Sequence, residues 1–132
     1  MTIRVFLVED MLPVHAVVSD LLASLGDFRL VNATATEAEA KLWLSENHGE
    51  WDLAIVDLVL EQGTGMAVIP KARASADERG TGNVVVFSDY ASDGIHSHCR
   101  KLGADAVFLK SQVHDLMRYC SQLGGRPAAA LA

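Results

Sequence analysis

Positive charge is scarce in this chain. Lys and Arg number 11 against 17 Asp and Glu, for a formal net charge of −6 over 132 residues. A nucleic-acid surface needs clustered cations, and no basic patch interrupts the acidic balance, so direct nucleic-acid binding is not expected. Long hydrophobic runs are missing as well. The longest span four to seven residues, far short of the roughly 20 that a membrane helix requires. Met1-Thr2-Ile3-Arg4 reaches Glu9-Asp10 too soon for a signal peptide. Cysteine is limited to Cys99 and Cys120, with no CxxC spacing. Without an export signal, these read as reduced thiols in a cytoplasmic protein. What is abundant is apolar side chain, at 50% of the residues. That share, at this length, predicts one domain with its own core.

Short apolar runs alternate with helical patterns. Ile3 to Val8, Phe28 to Ala33, Leu53 to Val56, Val84 to Phe87 and Ala106 to Leu109 are near-continuous in Val, Ile, Leu and Phe. Runs of this kind suit strands buried on both faces, as in a parallel sheet. Between the first two, Val14, Val17, Val18, Leu21, Leu22 and Leu25 share one helical face. Pro13 suits the first turn and Gly26 the end. Thr36 predicts an N-cap, with Glu37 and Glu39 favourable in the turn that follows and an end near Asn47 to Gly49. A third helix is expected over Gly65 to Ala74, irregular around Pro70. Ser92 or Asp93 opens a fourth ending near Gly103, and Ser111 caps a fifth carrying Val113, Leu116, Met117, Cys120 and Leu123. Five βα units predict a doubly wound α/β sheet over residues 1–123, with a tail at 124–132.

In such sheets ligands bind outside the carboxyl ends of the strands. Run one ends in Glu9-Asp10, run three in Asp57, run four in Ser88-Asp89 and run five in Lys110. Converging carboxylates repel one another unless a cation neutralises them. Oxygen donors without His or Cys favour a hard ion such as Mg²⁺. Lys110 would supply a point charge, and Ser88 a hydroxyl, for phosphoryl oxygens. Asp57, on the middle strand, is placed as a nucleophile towards phosphorus. Taken singly, each residue has an ordinary reading as a turn, a cap or a solvated charge. Together they fall at strand ends in the right order.

With these residues in place, the sequence resembles the receiver domain of two-component response regulators, the CheY-like domain. The matching motifs are Val8-Glu9-Asp10, Val56-Asp57-Leu58 followed by Leu60, Gly63 and Gly65, Val86-Phe87-Ser88, and Gly103-Ala104-Asp105 leading to Lys110. The resemblance covers residues 3 to about 123. It implies a flavodoxin-like five-stranded parallel sheet of order 2-1-3-4-5, with Asp57 as phosphoacceptor. Glu9, Asp10, Asp57 and the backbone carbonyl of Val59 would hold Mg²⁺, for which Mn²⁺ can substitute. Ser88 and Lys110 would follow the phosphoryl group. The donor would be a sensor histidine kinase or a histidine phosphotransfer protein, docking near helix one. A downstream protein target of unknown identity would read the helix-four, strand-five, helix-five face, which also leaves room for a homodimer. Such a chain would be a stand-alone regulator, catalysing only its own phosphorylation and dephosphorylation.

Several positions depart from the family pattern. Val107 stands where the family usually has Tyr or Phe, and Phe108, one residue on, belongs on the opposite face. Ser111 replaces the proline that commonly follows the lysine, so a cis bond there would cost about 3 kcal/mol. Asp89 stands where a small residue is usual, and its carboxylate should hinder anionic donors. Val59 and Tyr90 occupy positions that tune dephosphorylation, and their bulk predicts a long-lived phosphoaspartate. His96-Ser97-His98-Cys99 reads as helix surface rather than a metal cluster, and Gly63-Thr64-Gly65 as a turn. Trp43 and Trp51 read as partial core or rim, and Phe108 as core. Two other readings compete. A haloacid-dehalogenase-like phosphatase would need an acid two positions after Asp57, where Val59 stands. A pseudo-receiver, binding protein without phosphorylation, is disfavoured by the intact acidic set but kept open by Val107 and Asp89.

Overall fold

The apolar runs pair side by side because neither of their faces can be left in water. Alternate residues of each strand point to opposite faces. Phe6, Val8, Ala54, Val56, Val84 and Val86 therefore enter one core layer, while Val5, Leu7, Leu53, Ile55, Val85 and Phe87 enter the other. The computed structural model describes residues 2–123; the expected tail, 124–132, lies outside them. Chain order runs β1 (Ile3–Val8), α1 (Leu12–Leu25), β2 (Phe28–Thr34), α2 (Glu37–Glu46), β3 (Leu53–Val56), α3 (Gly65–Arg79), β4 (Asn83–Ser88), α4 (Asp93–Leu102), β5 (Ala106–Leu109) and α5 (Val113–Leu123). The strands are all parallel, in the order β2-β1-β3-β4-β5. Residues of α2, α3 and α4 fill the first layer, and those of α1 and α5 the second. No helix among the described residues is long and apolar enough to cross a membrane.

Local signals account for most helix ends. The Thr36 hydroxyl accepts from the Glu39 amide at 3.1 Å, and the Ser92 hydroxyl from the Ile95 amide at 3.3 Å. Gly26 closes α1 at φ 86°, a conformation that only glycine adopts cheaply.

Four expectations need correction. Helix α3 does not stop at Ala74 but continues through Pro70 to Arg79. The ring removes one intrahelical hydrogen bond, yet Val68, Ile69, Ala72 and Ala76 are all buried, and that burial outweighs the loss. Ser111 does not cap α5. The position before Val113 is Gln112, whose carbonyl accepts from the Leu116 amide at 3.1 Å and whose side-chain oxygen accepts from the Leu109 amide at 2.8 Å. Trp51 is no rim residue but fully buried. Its indole N–H donates to the Ser75 hydroxyl at 3.3 Å, and the Arg79 guanidinium lies 5.0 Å from its ring centroid. Cys99 leaves the expected surface group, being buried with its thiol 3.9 Å from the Met66 sulfur, while His96 and His98 are exposed. Trp43 is partly buried, stacked on Phe6 with ring centroids 4.3 Å apart.

Candidate functional site

Register alone brings the strand ends together. Val8 pairs with Val56, Val56 with Val86, and Ser88 with Leu109. The residues that follow continue the ladder for one more step. The Glu9 amide donates to the Thr34 carbonyl (2.9 Å), the Asp57 amide to the Val8 carbonyl (2.9 Å) and the Lys110 amide to the Ser88 carbonyl (2.8 Å). Backbone hydrogen bonds thus hold Glu9, Asp57 and Lys110 at one edge, with a rigidity that a free loop would lack.

Glu9, Asp10 and Asp57 each offer an oxygen, and these lie within 4.8 Å of one another. Glu9 and Asp57 are buried, at 1% and 4% exposure, and Asp10 is half-buried. Asp10 accepts from the Glu61 amide at 2.7 Å, and Glu9 from the Met11 amide at 3.1 Å. The Lys110 ammonium stands 2.8 Å from Glu9 Oε1 and 3.3 Å from Asp57 Oδ2. Burial pushes the Glu9 carboxyl up from its ordinary value, with Asp57 adding to the effect against the opposing pull of Lys110. Burial disfavours the Lys110 charge, but the hydrogen bond to Glu9 and the charge of Asp57 outweigh it and hold its pKa above the usual value.

The Ser88 hydroxyl is buried with no hydrogen-bond partner among the described residues. An orphaned buried hydroxyl loses solvation without compensation, so at the end of β4, whose backbone carbonyl holds the Lys110 amide, it suits an acceptor oxygen delivered by a ligand. The carboxylate oxygens likewise fit a hard divalent cation, because one ammonium leaves most of their charge unmatched.

The loop after Asp57 is shaped by a contact that sequence reasoning read only as a turn. Gly65 opens α3, and a Cβ there would fall 1.8 Å from the Asp57 carbonyl oxygen. Its amide donates to the Leu58 carbonyl at 3.0 Å, and the Thr64 hydroxyl bonds the same carbonyl at 3.1 Å. Glu37 of α2 ties the loop down further, accepting from the Thr64 amide at 2.9 Å. Val59 (63% exposed) and Tyr90 (71% exposed) stand out as apolar groups in the loops that follow β3 and β4. Val107 is buried in the layer with Cys99 and Ala104, whereas Phe108 faces the other layer, partly buried and edge-on to Tyr119 at 5.8 Å. No peptide bond among the described residues is cis, including Lys110–Ser111. A contact not anticipated joins Asp89 Oδ2 to Lys110 Nζ at 3.9 Å.

Neither a family model nor a curated protein matches the sequence. Solved structures do match the fold. A two-component response regulator of the LuxR family from Aurantimonas sp. SI85-9A1 superposes with a TM-score of 0.78 at 22% identity, covering 96% of this chain and 88% of that one. The phosphorylated cyanobacterial phytochrome response regulator RcpA gives 0.76 at 22% identity, over 92% and 93%. The CheX–CheY–BeF₃–Mg²⁺ complex from Borrelia burgdorferi gives 0.71 at 15% identity, over 81% and 77%. The chain has the fold of response regulator receiver domains, the CheY-like fold.

Proposed function

We propose that this chain is a receiver that accepts a phosphoryl group on Asp57 and changes conformation in response. The observation that carries this reading is the grouping of a buried Asp57 carboxylate, the Lys110 ammonium 3.3 Å away and the partnerless hydroxyl of Ser88. An Asp57 oxygen attacks phosphorus while the donor's leaving group departs with the bonding pair. Charge accumulating on the phosphoryl oxygens is met by Lys110 from one side and by a hydrogen bond from Ser88. Both groups are in place before the donor arrives, which lowers the reorganisation needed during transfer. Glu9, Asp10 and Asp57, with the Val59 carbonyl, would hold Mg²⁺ or Mn²⁺, and such an ion neutralises oxygens of the transferring group. Two similar folds support the chemistry by what they hold, one a phosphorylated regulator and the other a BeF₃ and Mg²⁺ complex.

The natural donor in this reading is a histidine kinase or histidine phosphotransfer protein, in the cytoplasm. The receiver domain spans 1–123 and the output is read by another protein. Transfer of Lys110 from Glu9 and Asp57 to a phosphoryl oxygen would be the first movement. With Val107 in place of an aromatic on the α4 side, the response would travel through the β4–α4 loop rather than through a rotating ring.

Incubation with Mg²⁺ and acetyl phosphate, followed by intact mass, tests the assignment. One phosphoryl adduct is expected, absent in Asp57→Asn. An adduct that survives in Asp57→Asn, or none with small donors and beryllofluoride alike, would overturn it. Lys110→Ala should still form adduct yet lose the accompanying chemical-shift changes in α4. Val59 and Tyr90 should keep the adduct alive for minutes or longer, and decay within seconds of donor removal would contradict that part.

A further inference from the structure

We propose that Asp89 selects among phosphoryl donors by charge, holding back small dianions relative to donors that carry less negative charge. The proposal rests on the reading of Asp57 as the acceptor. Asp89 directly follows Ser88 at the end of β4, and its Oδ2 lies 3.9 Å from Lys110 Nζ. Its side chain is 65% exposed, against 13% for that of Lys110. The carboxylate is therefore far more open to solvent than the ammonium beside it, and its charge acts on any phosphoryl group that approaches Lys110.

The balance of charge makes this position matter. Glu9, Asp10 and Asp57 are grouped around the same edge, and Lys110 is the one cation in ion-pair contact with Glu9, Asp57 and Asp89 among the described residues. Even a divalent cation on the acidic cluster would leave the edge with a net negative charge, and Asp89 supplies that surplus. Asp89 has no other ion-pair partner among the described residues. Its exposure leaves it free of any packing role in the core.

Coulomb energy grows in proportion to the charge on the donor. Acetyl phosphate is a dianion near neutral pH, whereas phosphoramidate carries a net single negative charge because its nitrogen is protonated. In both reactions an Asp57 oxygen forms the new P–O bond. The P–O bond to acetate breaks in one case and the P–N bond to ammonia in the other, the leaving group taking the bonding pair. The leaving groups differ, but that difference is the same in wild type and variant, so the variant-to-wild-type ratio for each donor isolates what Asp89 does to its approach. The factor by which Asp89 slows the dianion should be about the square of its effect on the monoanion. Both factors should fall as salt screens the charge, with a Debye length of about 10 Å at 0.1 M.

Initial rates of adduct formation, read by intact mass with each donor at low and high salt, test this in wild type, Asp89→Asn and Asp89→Glu. Asp89→Asn should gain about fivefold with acetyl phosphate and about twofold with phosphoramidate, with both gains shrinking at high salt. Asp89→Glu keeps the charge and should keep the wild-type donor ratio. Equal gains with the two donors, or gains indifferent to salt, would mean that loss of the contact with Lys110 rather than charge repulsion of the donor is at work, and would overturn the proposal while leaving the acceptor assignment intact. Failure of the acceptor assignment looks different: wild type gives no adduct from either donor, or Asp57→Asn still gives one, and the proposal then falls with it.

Discussion

The two ends of the sheet carry ionised side chains in opposite arrangements. At the amino-terminal ends of the strands Asp52 and Asp105 are each matched by arginine. Asp52 accepts from the Arg4 amide at 2.8 Å and from its guanidinium at 3.1 Å through each oxygen, and Arg79 adds a second cation at 4.0 Å. Arg79 also covers the Trp51 ring. Asp105 accepts from the Val84 amide at 2.8 Å and pairs with Arg73 at 3.3 Å. At the carboxyl ends the same backbone ladder delivers Glu9, Asp57 and Asp89 to a single ammonium, with Asp10 beside them. The first arrangement ties the strands to one another and to α3, although Arg73 Nε and Arg79 Nε are buried without a hydrogen-bond partner among the described residues. The second is under-neutralised, with a buried hydroxyl at the end of β4 that has no partner among the described residues, and in the proposed reading a cation and a phosphoryl group complete it.

The largest expected effect lies at the matched end. Trp51→Ala empties a fully buried site, leaves the Ser75 hydroxyl without its indole donor and strips the Arg79 guanidinium of its ring. A loss of about 3–5 kcal/mol is expected in urea denaturation. The folded fraction should still take a phosphoryl group at the wild-type rate, because Trp51 stands before β3 and Asp57 follows it. A rate loss larger than the loss of folded protein would show that the two ends are not independent.

Opposite pH slopes give the next test. Burial works against the Asp52 charge, but hydrogen bonds from Arg4 outweigh it and hold its pKa below the ordinary value. A depressed carboxyl stabilises the fold above the ordinary carboxylate pKa, and that contribution disappears as pH falls through the folded value. Glu9 is raised, first by burial, so the folded protein holds that proton more tightly than the unfolded chain. Its charged form therefore costs stability as pH rises from the ordinary carboxylate value through the folded one. Without metal at neutral pH, Asp52→Asn should lose about 1–2 kcal/mol and Glu9→Gln should be more stable than wild type. The first difference shrinks on acidification and so does the second, from opposite signs. Mg²⁺ should reverse the Glu9→Gln advantage, since it binds the charged form. Stability differences of the same sign at both positions would break the contrast.

Much of the carboxyl edge was legible in the sequence because parallel strands leave few choices. Each of these apolar runs gives way to a charged residue at its carboxyl end, so Glu9, Asp57 and Lys110 mark the ends of β1, β3 and β5 directly. The placement of Val107 and Phe108 on opposite faces followed from the period of two. The matched end was invisible by the same logic. Arg4 and Asp52 are 48 residues apart and belong to no motif. Trp51 lies outside every periodic run, so its burial depends on α3 extending far enough to bring Ser75 and Arg79 over it. Pro70 hid that extension, since a proline within a helical pattern reads as a break when packing is unknown. Gly65 was read as a turn residue, because a close approach to the Asp57 carbonyl has no local signature. The proximity of Asp89 to Lys110 was likewise a matter of side-chain direction across two strands.

The smallest effect sharpens the comparison most, because it sets two buried serines against each other. Ser75 has two partners near the matched end, the Trp51 indole at 3.3 Å and the His48 ring at 3.2 Å. Ser88 has none. Ser75→Ala leaves a buried indole N–H unpaired and should cost about 1–2 kcal/mol. Ser88→Ala removes a hydroxyl that already lacks compensation, so the unphosphorylated protein should change by less than about 0.5 kcal/mol in either direction. Phosphorylation should then separate the pair the other way. The beryllofluoride or phosphoryl adduct of Ser88→Ala should lose the chemical-shift changes of the β4–α4 loop, and that of Ser75→Ala should keep them. If Ser88→Ala instead destabilises the unphosphorylated protein as much as Ser75→Ala does, its hydroxyl already has a partner, and the carboxyl edge is less incomplete than its geometry indicates.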